Sequence, residues 1–361
     1  MSIGTWQARA SRPRNGVKPL IGITMGDPCG IGAEVIVKAL NDSSIRELGR
    51  FVLYGMDSEF RRAAMRAGIR PYWFHVSRSH AVHVDTGVIV VDFDEFHGLD
   101  CTLPRPNAES GRASLQFLDA AMEGARAGTV DAIVTGPINK TSWKLAGCHA
   151  PGHTERLAAA FHVPRFTMMF VGAGMRIALA STHVGLFELR NQFTIGRVFQ
   201  PIDLLDECLR RWFGVQRPRI AVAGLNPHAG EEGLFGDEER RIIEPAMQMA
   251  RNAGAHVEGP FPPDTLFVPQ IRGQFDGIVA MYHDQGLIPI KMLAFDSAVN
   301  VTLGLPIIRT SVDHGTAFDI SGANRADPGS MKEAIRLACR FVESAATTHR
   351  CNGAAPAAVA N

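Results

Sequence analysis

Three histidines in this chain each close a short apolar run: RIALASTH (176–183), RIAVAGLNPH (219–228) and DGIVAMYH (276–283). Neutral imidazole is a good ligand for Zn, Co or Mn, and three imidazoles leave a coordination position free for a substrate. His183, His228 and His283 are therefore candidate metal ligands. The alternative is that three unrelated histidines cap the loops that follow their strands.

The elements that must bring these histidines together are predicted to be parallel strands. The apolar part of each run is short and β-prone, as is typical of a strand buried on both faces. The carboxyl ends of parallel strands share one edge of a sheet, where binding sites collect. Strands predicted at 20–24, 51–54 and 88–91 alternate with helices near 33–40 and 59–67, and a further helix is predicted at 110–127. This alternation predicts an α/β fold built of βαβ units.

The length, net charge, apolar runs and cysteines of the chain indicate which class of protein it belongs to. The 361 residues suffice for two α/β domains, and the net charge of +1 provides no general attraction for nucleic acid or an anionic membrane. The N-terminus lacks the apolar core of a secretory signal, and no apolar run is long enough to span a bilayer, so we expect a cytoplasmic protein. The six cysteines form no CxxC pair and are expected to be reduced, and Cys29 alone lies inside a motif.

Two polar motifs are expected at the starts of helices. The segment TMGDPCGIGAEV (24–35) has glycines ahead of a helix, where backbone amides can approach an anion, although its spacing is not GxGxxG. The segment PGHTE (151–155) brings His153 and Thr154 to a predicted helix start, with Glu155 in the first turn. A simple capped helix is the alternative interpretation.

Lys291, Asn300 and Arg309 are polar residues within a strongly apolar region, 288–322. An unpaired buried charge is costly, so both cations need partners. The phosphate or carboxylate of a ligand would satisfy them, because guanidinium binds oxyanions through a bidentate fork and ammonium binds them as a point charge. Pairing with an aspartate such as Asp296 or Asp313 is the alternative.

Two further carboxylates lie close in sequence to the candidate ligands or on adjoining loops. Asp264 in PPDTLF and Asp284 in YHDQG could each orient an imidazole or accept a proton. For Asp264, capping of a helix is the alternative.

Taken in order, the motifs resemble one enzyme family. The blocks MGDPCGIGAE, GHTE, STH, GLNPHAGE, PPDT, YHDQG and VNVTLGLPIIRTSVDHGTAFDISG, over about residues 20–340, resemble the 4-hydroxythreonine-4-phosphate dehydrogenase family of vitamin B6 biosynthesis. The blocks GDPCGIGAEV and DHGTAFDISG more distantly resemble loops of isocitrate and isopropylmalate dehydrogenases. The resemblance implies their two-domain α/β/α fold, with the active site in the cleft between the domains. We expect one domain at 19–135 plus about 305–345, a second with the metal ligands at 136–304, and flexible tails at 1–18 and 346–361.

The resemblance also implies roles for individual residues. One divalent ion (Zn, Co, Mn or Mg) would be held by the three histidines, in a homodimer with the metal site at the subunit boundary. NAD or NADP would bind with its adenosine end near the SVDHGTAFDISG loop, and Lys291 or Asp264 would move the proton. Substrate would contact His153, Thr154, Lys291, Asn300 and Arg309, and the cofactor would contact His314, Gly315 and Asp319.

The implied reaction oxidises 4-phosphooxy-L-threonine to a 3-oxo acid, which loses CO2 to give 3-amino-2-oxopropyl phosphate for pyridoxal phosphate synthesis. The stretches INKTSWKLAGCHAPGHTE and KMLAFDSAVN resemble a second branch, which oxidises 4-phospho-D-threonate or 4-phospho-D-erythronate and yields dihydroxyacetone phosphate. The intact GHTE and the Arg309 region argue against a third branch, which acts on a cyclic diol dicarboxylate derived from terephthalate. A metal-dependent binding protein on the same fold is the alternative that is not an enzyme.

Overall fold

The computed structural model describes residues 17–78, 84, 87–102 and 104–353, and side chains as far as residue 347. The predicted N-terminal tail therefore lies almost wholly outside the described residues. The strands are β1 (Leu20–Thr24), β2 (Arg50–Gly55), β3 (Phe74–Ser77), β4 (Val88–Asp92), β5 (Ala132–Thr135), β6 (Thr167–Gly172), β7 (Met175–Leu179), β8 (Arg219–Ala223), β9 (His256–Phe261), β10 (Gly277–Ala280), β11 (Val299–Leu303) and β12 (Ile308–Val312).

Helices follow most of the strands. They are α1 (Gly32–Asn41), α2 (Ser43–Arg46), α3 (Asp57–Ala67), α4 (Ala108–Ala127), α5 (Lys140–Leu145), α6 (His153–Ala160), α7 (Leu189–Gln192), α8 (Ile195–Arg211), α9 (Glu244–Asn252), α10 (Pro263–Leu266), α11 (Pro269–Arg272), α12 (His283–Ala294) and α13 (Gly329–Gly353). Short turns of 3₁₀ type lie at Asp94–Phe96 and Pro227–Gly233, and a π-helical turn lies at Glu239–Ile243. No helix in the described part of the chain is long and apolar enough to cross a membrane.

All the described strands join one sheet in the order β3-β4-β2-β1-β5-β12-β11-β6-β7-β10-β8-β9. Most pairs are parallel, but β11 runs antiparallel to both of its neighbours and β6 pairs antiparallel with β7. The α/β class is confirmed, with a mixed rather than purely parallel sheet. The strand β10 pairs in parallel with β7 on one side and β8 on the other. The three strands that precede the histidines are therefore neighbours, and they end at the same edge of the sheet, as expected for parallel strands.

The predicted domain division follows the strand order. Strands from 20–135 together with β12 form one half of the sheet, and strands from 167–303 form the other. The division itself stays a prediction, because β11 and β12 pair directly and the sheet is continuous. The predicted C-terminal tail also stays a prediction, and α13 continues to Gly353 and so includes part of 346–361.

Helix α4 packs very closely on α5, and a glycine makes this possible. A Cβ built on Gly111 would lie 2.1 Å from the backbone oxygen of Ser142. We expect Gly111→Ala to lower the free energy of unfolding by about 1–3 kcal/mol, because backbone must move to relieve the overlap. Gly196→Ala in α8 is the matched control, since open space surrounds that position. Chemical denaturation should show no loss for Gly196→Ala, and equal losses in both variants would contradict the packing argument.

Candidate active site

The ends of β7 and β10 bring two of the candidate metal ligands together. The rings of His183 and His283 lie 6.0 Å apart between centroids. The Ser181 hydroxyl donates to the carbonyl oxygen of Met281 at 2.8 Å, which ties the two strand ends to each other. Burial, with a smaller effect of the Lys140 charge, lowers the pKa of His183, so its imidazole is neutral at pH 7.

Buried side chains that the sequence did not single out hold the neighbouring loops. The Gln285 side chain accepts from the Met281 amide at 2.6 Å and donates to the Gly224 carbonyl at 2.8 Å, so it joins the end of β10 to the end of β8. The Glu239 carboxylate accepts from the amides of Leu225 and Asn226 at 2.8 and 2.7 Å. Gln285 stands in the quoted YHDQG motif, whereas nothing in sequence pointed to Glu239, because its role depends on the fold.

His228 lies in a segment with an unusual backbone conformation. It begins a run in which His228, Ala229, Glu231 and Glu232 all have left-handed φ values between 42° and 55°. Its ring lies beside Phe235, with centroids 6.0 Å apart. Within the described residues of one chain, no three His, Cys, Asp or Glu side chains already form a metal-binding group. The chain thus brings two imidazoles together and carries the third to the same edge of the sheet.

The two adjacent imidazoles suit a divalent metal. Two imidazole nitrogen donors at neighbouring strand ends are half of a tetrahedral ligand set. The Nδ1 of His283 is 2.6 Å from a carboxylate oxygen of Asp284, the kind of contact that fixes the tautomer and orientation of a ligating histidine. Asp284 therefore occupies the orienting position that its sequence suggested.

Arg309 lies buried in β12 with hydroxyl partners. It is 2% exposed, and its guanidinium donates to Thr135 at 2.7 and 3.1 Å and to Thr302 at 3.0 Å. Burial lowers its pKa to about 9, which still leaves the charge in place at pH 7. No carboxylate contacts this guanidinium among the described residues, although Glu155 is close enough to act on it electrostatically. The predicted alternative of an aspartate partner is therefore wrong for Arg309.

Polar groups on the elements next to Arg309 include buried atoms that have no hydrogen-bond partner among the described residues. The hydroxyl of Thr154 is 3.2 Å from that of Thr302, so it belongs to the same network. The Nε2 of His153 and the Oδ1 of Asn300 are buried, and neither has a hydrogen-bond partner in the described part of the chain. Burial, and then the Arg309 charge, holds the pKa of His153 well below its usual range. Buried polar atoms are nearly always satisfied, so these atoms suit a bound ligand.

The helix start at GHTE differs from the simple capped helix. The N-cap of α6 is Gly152, and neither His153 nor Thr154 caps it through a side chain. The His153 ring instead packs edge-on against Trp143, with centroids 5.4 Å apart. Glu155 lies in the first turn, as expected. The motif is therefore directed inward by its packing.

Lys291 follows the alternative prediction. Its ammonium is 3.0 Å from a carboxylate oxygen of Asp313 and 3.2 Å from the Asp313 carbonyl oxygen. Lys291 and Arg309 thus differ, because the first has an aspartate partner within the chain and the second does not. The role of Lys291 in proton transfer is not tested by this pairing and stays a proposal.

A cavity of about 480 Å³ opens beside this network. It is lined by Thr154 and Glu155 of the GHTE motif and by Ser181 and Thr182, which directly precede His183. A buried oxygen of Glu155 has no hydrogen-bond partner among the described residues. The volume is in the range typical of small-molecule sites. The cavity thus extends from Thr154, which belongs to the Arg309 network, to the two residues that precede His183.

The remaining predicted residues lie on two further segments, one exposed and one partly buried. Asp264 is exposed in the short helix α10, which packs beside the Pro227–Gly233 turn that carries His228. It makes no side-chain cap, so the helix-capping alternative is wrong. His314, Gly315 and Asp319 follow β12, and this loop joins the glycine-rich turn through a bond from the Ile31 amide to the Thr316 carbonyl at 3.0 Å.

Comparison with known proteins places this arrangement in a family. Residues 47–338 match the model of the family described as pyridoxal phosphate biosynthetic protein PdxA. The 4-hydroxythreonine-4-phosphate dehydrogenase of Desulforapulum autotrophicum is 44% identical over 89% of this chain and 95% of its own length. The D-threonate 4-phosphate dehydrogenase of Salmonella typhimurium is 43% identical over 89% and 98%.

A solved structure agrees with the sequence relatives. The 4-hydroxythreonine-4-phosphate dehydrogenase of Klebsiella pneumoniae superposes with a TM-score of 0.79 at 39% identity, covering 90% of this chain and all of that one. The family assignment drawn from the motifs is thus confirmed. With these matches spanning most of its length, the chain belongs to the PdxA family.

Proposed function

We propose that this chain oxidises the 3-hydroxyl of 4-phosphooxy-L-threonine, in a reaction that depends on NAD or NADP and on a divalent metal, and that decarboxylation of the 3-oxo acid follows. The observation that carries the proposal is the Arg309 network, in which a buried cation has only hydroxyl partners among the described residues. An anionic group of the substrate would supply the missing charge. Family membership supports the reaction type, since curated relatives are named as dehydrogenases.

The substrate would be held by the chain's own residues in named ways. Arg309 would bind an oxyanion through its fork, and the free Nε2 of His153 and Oδ1 of Asn300 would each take one hydrogen bond. Lys291, oriented by Asp313, would approach from α12 and, in its neutral amine form, could accept the hydroxyl proton. Asp264 stays the alternative for proton transfer, because it is exposed and accompanies the His228 segment.

A divalent ion, bound by His183, His283 and His228, would supply Lewis acidity at a substrate oxygen, and a nicotinamide would supply the hydride acceptor. Asp284 would keep the His283 imidazole in its ligating orientation. Ser181 and Gln285 would hold the strand ends, so that the ligands need not be ordered during binding. The loop with His314, Gly315 and Asp319 is the proposed site for the adenosine end of the nucleotide.

The choice of substrate is open to a direct test. Relatives named for 4-hydroxythreonine 4-phosphate and for D-threonate 4-phosphate are 44% and 43% identical to this chain, so similarity does not rank the two. We expect kcat/KM, measured from absorbance of the reduced nicotinamide, to be at least about tenfold higher with 4-phosphooxy-L-threonine than with 4-phospho-D-threonate or 4-phospho-D-erythronate. The reverse order would assign the chain to the second branch. Turnover of none of the three would favour the binding-protein alternative.

We also propose that the chain forms a homodimer with the metal site at its boundary. Helix α12 begins at His283 and exposes a series of large apolar side chains, and more follow near His183 and His228. Such clustering is typical of a subunit interface. The exposed residues are Ile288, Met292, Leu293, Phe295, Leu186, Phe187, Leu234 and Phe235.

Mixed dimers would show which histidines share a chain. Since His183 and His283 are adjacent in one chain, we expect His228 to complete the site of the other subunit. Inactive His183→Ala and His228→Ala chains, unfolded and refolded together, should regain about a quarter of wild-type activity, because half the dimers are mixed and one of their two sites is intact. His183→Ala with His283→Ala should regain none. Failure of every pair, with subunit exchange verified by mass, would overturn the shared site.

A further inference from the structure

Two cysteines from different parts of the chain meet next to the glycine-rich turn. The sulfurs of Cys29 and Cys101 are 3.2 Å apart, and Cys29 is only 1% exposed. Cys29 lies in the turn between β1 and α1, and Cys101 follows the short Asp94–Phe96 turn. The side-chain amide of Asn107 is 3.6 Å from the Cys29 sulfur. The candidate active site uses neither thiol.

The pair is open to small molecules from one side. A cavity of about 180 Å³ has Cys101 in its wall and leaves Cys29 behind it. Pro28 and Gly30 of the glycine-rich turn form another part of the wall, and Ser321 and Gly322 form a third. A small oxidant that enters this cavity therefore comes next to Cys101, whose sulfur is 3.2 Å from that of Cys29.

The contact between the sulfurs favours a thiolate within the pair. The hydrogen bond between them lowers the pKa of the Cys29 thiol, and the same bond, with burial, raises that of Cys101. Two such groups titrate together, and the thiolate is the reactive form of cysteine. Burial alone has the opposite effect at Cys208, where it raises the pKa of the thiol.

We propose that Cys29 and Cys101 form an oxidisable thiol pair, which a hydroperoxide converts to an intramolecular disulfide and a dithiol reductant reopens. In the first step the thiolate attacks hydrogen peroxide, its sulfur gains an oxygen to become a sulfenic acid, and hydroxide leaves. In the second step the other thiol attacks the sulfenic sulfur, the S–S bond forms, and water leaves. The two thiols lose two electrons in total, and the peroxide is reduced to two waters.

Closure of the disulfide would reach the loops that surround the cavity. The Cys29 carbonyl accepts from the Ser321 hydroxyl at 2.8 Å, and the Ile31 amide bonds to Thr316 at 3.0 Å. The glycine-rich turn is thus attached to the loop after β12. A bond to Cys101 would tie a third segment to both. The second part of the proposal is that oxidation weakens nucleotide binding. This part rests on the proposed function, in which the nucleotide binds at this loop.

The first test is peptide mapping of the whole protein after graded peroxide treatment. We expect a cross-linked peptide that joins Cys29 to Cys101, with a loss of two hydrogens, and its return to two thiols with dithiothreitol. Cys29→Ser and Cys101→Ser should each abolish the cross-link and leave the remaining thiol to be trapped as a sulfenic acid. Cys148→Ser is the matched control, because Cys148 is also partly buried and no other thiol contacts it among the described side chains. That variant should form the cross-link normally.

Two results would overturn the thiol pair. One is that Cys29 and Cys101 stay reduced at a peroxide concentration that oxidises Cys148, and the other is that they cross-link to other cysteines. The effect on binding is read separately, from the Kd for NADH or NADPH of the reduced and the oxidised protein, with Cys101→Ser treated in the same way. A rise of about tenfold only in the wild type supports the second part. An unchanged Kd with the cross-link present overturns that part alone, and no binding in either state counts against the proposed function.

Discussion

Replacing His183 or His283 with alanine should lower turnover by far more than 100-fold, and exhaustive chelation should do the same to the unmodified protein. The expectation follows from the adjacency of the two rings, 6.0 Å apart at the ends of neighbouring parallel strands. Loss of a residue that only orients a ligand typically costs about 10- to 100-fold, and a ligand itself should cost more. Steady-state rates after addition of Zn, Co, Mn or Mg to the chelated protein measure the recovery.

The control for this prediction is a histidine at the opposite edge of the sheet. His256 begins β9, which is parallel to β8, and its side chain is exposed and pairs with Glu258. His256→Ala should keep wild-type turnover. Asp284→Asn should fall between the control and the ligand variants, because it disturbs only the contact to His283. Full activity in chelated protein without detectable metal by elemental analysis would refute the metal site.

Sequence predicted the strand-end histidines because a strand buried on both faces leaves a plain apolar run. The sequence did not show that the three strands are neighbours, because β10 lies between β7 and β8 although it follows both in the chain. The sequence did not predict the path of the loop that follows each of these strands. His228 enters a left-handed run held by Glu239, a contact between residues of different elements that leaves no local pattern.

For the two cations in apolar segments, the sequence could not decide which kind of partner each one has. Lys291 and Arg309 both stand in apolar surroundings, and an aspartate or a ligand could satisfy either. The fold separates them, because β12 places Asp313 within reach of α12 and surrounds Arg309 with threonines from β5 and β11. Threonine is common in strands, so nothing in the spacing of Thr135 or Thr302 indicated that they would hold a guanidinium.

Replacing Arg309 with methionine should separate a role in binding from a role in stability. Loss of one partner of a buried charge pair costs about 2–5 kcal/mol, so kcat/KM should fall by roughly 30- to 4,000-fold if the substrate anion pairs with Arg309. Arg309→Lys should also bind substrate more weakly, because the charge remains but the fork is lost. Saturation kinetics with the phosphorylated acids measure both effects.

The free energy of unfolding without substrate shows whether Arg309 has a role in stability. A buried cation without a carboxylate partner is costly, and an apolar residue of similar volume is often neutral or stabilising in its place. The hydroxyls would not be stranded, since Thr135 also bonds to Ser311 and Thr302 to Thr154. We therefore expect Arg309→Met to unfold at the wild-type denaturant concentration or above it. If the free energy of unfolding of Arg309→Met is instead several kcal/mol lower and the variant binds substrate normally, Arg309 holds the sheet together and the anion must bind elsewhere.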